Sequence, residues 1–105
     1  MKRVIDTSEV LGTVDTPEGA CEVCASADAT YDDGAGSLVV RLESFLRTTN
    51  LRASEKRVPA SWLPKAETVT ESVDPGETRE AARNIFHRWV RKVRQAAPSL
   101  HNPDL

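Results

Sequence analysis

The clearest pattern of apolar positions lies at the C-terminal end of the chain. Ala82, Ile85, Phe86, Trp89, Val93 and Ala96 recur at spacings of three and four, which gathers them on one face of an α-helix. Asp74 and Pro75 suit the cap and the first helical position, and Glu77 stands where it can complete a reciprocal cap with Asp74. Pro98 ends the run. The pattern predicts a helix over 75–97, roughly 34 Å long at the usual rise per residue.

A second apolar row begins after Ser37. Leu38, Leu42, Phe45 and Leu46 fall at helical spacing, Glu43 and Arg47 are four apart in the favourable order, and Asn50 suits a helix end. This predicts a helix of about three turns over 37–50. The adjacent β-branched residues Val39 and Val40 make a strand the alternative. Upstream, Thr16-Pro17-Glu18 followed by Ala20, Cys21, Cys24 and Ala27 predicts a short helix over 17–28. Asp32-Asp33-Gly34-Ala35-Gly36 reads as a turn or linker, because glycine frees the backbone that a regular element must restrict.

Pro59, Pro64 and Pro75 interrupt the region between the two main helices. Trp62 and Leu63 between two prolines read as an anchor onto the core. Residues 65–73 alternate loosely and are rich in Thr and Val, which predicts an extended segment. Its candidate partners lie around Lys2–Ile5 or Val10–Val14.

Together these elements predict a mainly α, small single domain in which the long C-terminal amphipathic helix packs against the shorter central helix, with Trp62 and Leu63 closing the end. The alternative is an α+β fold with a small two-stranded element. The chain divides into an acidic, weakly structured segment (1–36), a helical core (37–97) and a flexible tail (98–105). Two amphipathic helices do not cover each other fully. The remaining cover is expected from the N-terminal third, from a second copy in a homodimer, or from a partner.

Composition narrows the functional classes. Leu, Ile, Val and Phe supply only 23 of 105 residues, enough for one modest core. No apolar run exceeds three residues, which speaks against a membrane span and a cleaved leader, and predicts a cytoplasmic protein. The net charge of -2 conceals a gradient, from -6 over residues 1–36 through +1 over 37–76 to +3 over 77–105. The acidic third is thus able to lie against the basic end within one molecule.

Two groups of residues bear on chemistry. Arg83, His87, Arg91 and Arg94 are spaced by four, four and three, so they line the helix opposite its apolar stripe. Such a stripe suits an acidic protein or the phosphates of a nucleic acid, although a solvated helix face has the same composition. Cys21 and Cys24 have the spacing of a redox or metal-binding pair. Only His87 and His101 are available as histidine ligands, far from zinc-finger spacing, and Glu18, Glu22 and Asp28 oppose a lowered thiol pKa. Two small hydrophobes in a reducing compartment is the simpler reading of that pair.

No motif pairs a nucleophile with a base, and none implies a cofactor. The sequence therefore favours a non-catalytic regulatory or adaptor protein that binds a protein partner through a charged helical face. Nucleic-acid binding through the basic stripe is the alternative, and a metal or redox role of Cys21 and Cys24 is the second.

Overall fold

The computed structural model describes residues 1–17, 19–48 and 56–97. The chain forms β1 (Lys2–Thr16), β2 (Gly19–Asp32), β3 (Ser37–Thr48), β4 (Lys56–Val58) and β5 (Glu67–Ser72), then a 3₁₀ turn (Pro75–Glu77) and α1 (Thr78–Ala96). The strands make one five-stranded sheet. β1, β2 and β3 follow one another as antiparallel neighbours, and β3 pairs with β5 along its first half and with β4 along its second. α1 covers one face of this sheet, lying across β1, β2 and β3.

The mainly α expectation is therefore incorrect, and among the described residues of the helical core expected over 37–97 there is only one α-helix. The expected helix over 37–50 is β3. Leu38, Leu42 and Leu46 lie four apart, a spacing that serves both a helical face and, as a multiple of two, one face of a strand. The deciding positions are Val40 and Phe45. Val40 is fully buried beside Leu38 and Leu42, whereas Phe45 belongs to the opposite face, where the Arg57 guanidinium sits 4.1 Å from its ring centroid.

The acidic N-terminal third, expected to be weakly structured, forms the two longest strands. In β2 the residues Cys21, Val23, Ala25, Ala27, Ala29 and Tyr31 are buried on one face, with Cys24 buried on the other, so the expected helix over 17–28 is also a strand. The alternation in β1 is hidden by two irregularities in its pairing with β2, between Arg3 and Ile5 and between Val10 and Gly12. Each coincides with an adjacent apolar pair, Val4-Ile5 and Val10-Leu11. A bulge inserts an extra residue and resets which side chains face the core.

The extended segment over 65–73 is β5, and its partner is β3 rather than an N-terminal strand. Trp62 and Leu63 pack against the core as half-buried residues. The core itself lies between α1 and the sheet. Ile85, Phe86, Trp89 and Val93 face the small side chains of β2 and the leucines of β3, so large residues on the helix meet alanines on the strand. The cover expected from the N-terminal third is supplied by β1 and β2, which pack against α1.

One junction fixes where the helix starts. Gly36, at a left-handed φ of 64°, closes the β2–β3 turn by donating its amide to the Asp32 carbonyl at 2.8 Å. Its own carbonyl accepts from the Val73 amide at 3.1 Å, and the Val73 carbonyl accepts from the Tyr31 hydroxyl at 2.8 Å. The chain then turns into α1 at Pro75. Asp74 is extended, as the residue before proline prefers, but its side chain makes no cap bond. The flexible tail expected over 98–105, together with His101, lies outside the described residues.

Candidate functional site: the outer face of the helix

All four predicted stripe residues lie in α1 and are exposed. They do not act as one group. Arg94 leans toward the sheet and donates from Nη1 to the Leu11 carbonyl at 3.3 Å, so its guanidinium ties the helix to β1. Arg83, His87 and Arg91 remain on the outer side, and Arg79 extends their row at the same spacing of four. The row Arg79, Arg83, His87, Arg91 spans roughly 18 Å along the helix. Arg79 was missed from sequence because the spacing was followed only toward the C-terminus. The same four-residue step applied in the other direction finds it.

The next side of the helix is neutralised. Arg88 pairs with Glu71 at 3.3 Å and Lys92 with Glu67 at 3.0 Å, both carboxylates coming from the helix-facing side of β5. In contrast, among the described residues Arg79, Arg83 and Arg91 make no ion pair. Their charge is displayed to solvent on a rigid element.

The acidic third does not mask this face by direct pairing. β2 runs beneath the helix, but its acidic side chains point to the other face of the sheet. There Arg3 reaches Asp28 at 3.8 Å and Asp6 at 3.5 Å, Glu22 meets Arg47 at 3.2 Å, and Glu43 pairs with Arg57. Of the acidic third, Glu9 lies on the helix-facing side of β1, opposite Ala25, and borders a cleft between β1 and the helix together with Val4, Ile5, Arg79 and Arg83, whereas Asp6, opposite Asp28, meets that cleft from the other face of the strand. Asp6 is held by Arg3.

The Cys21/Cys24 pair is split by the strand. Residues three apart on a strand point to opposite faces. Cys21 lies in the core beneath α1, with its Sγ 3.5 Å from the Thr16 hydroxyl, while Cys24 aligns with Val10 and Phe45 on the far side. Both side chains are buried, and neither cysteine is in a disulfide. They do not converge on one metal or form a mutual disulfide in this fold. Among the described residues no cluster of three or more histidine, cysteine or acidic side chains has metal-binding geometry.

Comparison with known protein families, characterised proteins and solved structures finds no match. Among the described residues the fold is a two-layer α+β arrangement with one α-helix, and no described helix is long and apolar enough to cross a membrane.

Proposed function

We propose that this protein is a non-catalytic binding module that takes an acidic partner protein on the outer face of α1. The observation that supports it is the unneutralised row Arg79, Arg83 and Arg91 beside a flank where Arg88 and Lys92 are already paired. The row also stands on a firmly packed element, because Ile85, Phe86, Trp89 and Val93 lock the opposite side of the same helix into the core. A partner therefore meets guanidinium groups on a pre-ordered backbone, which lowers the entropy lost on binding.

The test is capture of binding proteins from the native cell extract on immobilised wild-type chain and on an Arg83→Glu/Arg91→Glu variant, with and without nuclease. Support for the proposal is an acidic protein retained by the wild type after nuclease treatment and lost from the charge-reversed variant. Retention by both proteins, or release by nuclease, overturns it. Release by nuclease transfers the surface to nucleic-acid binding, where affinity falls steeply with salt as phosphate contacts displace counterions.

A further inference from the structure

β1 is an edge of the sheet. Its inner side pairs with β2, and among the described residues no strand pairs with its outer side. An edge of this kind presents a row of unpaired amide and carbonyl groups. Sheets often guard such edges with bulges, and here the two irregularities leave an uninterrupted run from Ile5 to Val10, in unbroken register with Ala29 to Cys24 of β2. Six residues span about 20 Å, the length of an ordinary strand.

That run lies beside the cleft between β1 and α1. Val4, Ile5 and Phe86 give the cleft an apolar floor, and Arg79 and Arg83 form its helical rim. Beyond Val10 the bond from Arg94 to the Leu11 carbonyl ties the helix to β1. On the strand side, Glu9 is exposed and makes no ion pair among the described residues. A free sheet edge, an apolar floor and a cationic rim thus occur together along one line.

We infer that an extended acidic segment of the partner adds to the sheet as a further strand along Ile5–Val10. Its main chain bonds to the outer edge of β1, and the side chains at i, i+2 and i+4, which share the helix-facing side of the added strand, bring two carboxylates to Arg79 and Arg83 and an apolar group over Ile5 and Phe86. This is recognition by strand addition, in which the backbone supplies affinity and alternate side chains supply selectivity. Charge complementarity selects the occupant. The helical rim is cationic, and repulsion by Glu9 directs the segment's carboxylates toward the helix rather than toward β1. The inference rests on the acidic-partner reading and names the form in which that partner binds.

The test uses the full chain with a fluorescein-labelled peptide about seven residues long, to match a strand, that carries two Glu and one Val at alternate positions with Thr between them, so that all three share one face. The comparison peptide has the same sequence with every second backbone amide N-methylated, which removes strand pairing and keeps the charge. The result expected is saturable binding with amide shifts in residues 4–10 and 79–87. N-methylation should weaken affinity by about tenfold or more, equivalent to the loss of roughly one good bond's worth of free energy. An Arg79→Glu/Arg83→Glu variant with unchanged circular dichroism and melting should also lose binding.

Equal affinity for the methylated peptide overturns strand addition. If charge reversal still abolishes that binding, the acidic-partner reading stands without it. Shifts confined to β5 or to the open face of the sheet overturn the inference, as does a second copy found pairing through β1 in sedimentation and cross-linking. Failure of the unmethylated acidic peptide to bind overturns strand addition, and failure of the captured acidic protein to bind as well removes both.

Discussion

Trp89 donates its indole N–H to the backbone carbonyl of Glu43 at 3.0 Å, tying the middle of α1 to the central strand β3. The ring is 2% exposed, so this one side chain supplies both apolar contact and a directed bond between the layers. Trp89→Ala is expected to cost about 3–5 kcal/mol. Trp89→Phe, which keeps most of the apolar contact, should cost about 1–3 kcal/mol by leaving the carbonyl without that donor. Urea denaturation of the two variants checks the order. An Arg91→Ala control should stay within about 0.5 kcal/mol, since Arg91 is exposed and unpaired among the described residues.

Tyr31 is the only tyrosine in the chain, so its titration is visible by ultraviolet absorbance without interference from another phenol. Burial pushes its pKa above the ordinary 10.0, and the negative charges of Asp33, Asp74 and Asp32 push it further in the same direction. The folded protein therefore holds the phenolic proton more tightly than the unfolded chain does. The resulting stabilisation is fully present below the unfolded value and is lost as pH rises through the folded one. The expected result is a tyrosinate midpoint above 10.0 in the native protein. Melting temperature should fall more steeply above about pH 10 in wild type than in Tyr31→Phe.

Cys21 and Cys24 should behave as two independent buried thiols. Native protein treated with a thiol reagent is expected to react slowly at both positions, and quickly once denatured. Oxidation of the native protein should yield no Cys21–Cys24 disulfide, because the strand sends the two side chains to opposite faces. Mass spectrometry after alkylation, with and without denaturant, checks both statements.

Val39 and Val40 distinguish a strand from a helix directly. Val40 is fully buried on the helix-covered face, and Val39 lies half-buried on the other. Val40→Asp should cost more than about 3 kcal/mol by placing an unpaired carboxylate in the core. Val39→Thr should cost less than about 1 kcal/mol, since its face is open and threonine suits a strand. Chemical denaturation of both variants gives the comparison.

Much of α1 was legible in the sequence. Five of its six stripe residues are buried, Ala96 is half-buried, and Val90 joins them. The extended character of β5 and the anchoring of Trp62 and Leu63 were legible too. The rest of the sheet was obscured for particular reasons. Leu38, Leu42 and Leu46 satisfy both periods, and the small residues of β2 give little apolar contrast to read. Bulges in β1 place apolar residues side by side where a regular strand would alternate. The basic stripe was legible as a row, but the departure of Arg94 to the Leu11 carbonyl depends on a strand 83 residues away.

The sequence by itself determined the amphipathic helix, its basic outer face and the acidic character of the first third. Each follows from residue order along one element, where neighbours three or four apart meet without help from the rest of the chain. Only the tertiary structure decided that residues 37–48 are a strand, that Cys21 and Cys24 part company, and which arginines keep their charge unpaired. Those outcomes depend on contacts between residues far apart in the chain. A strand gains its hydrogen bonds only from a neighbouring segment, and an arginine is neutralised only if the fold brings a carboxylate to it.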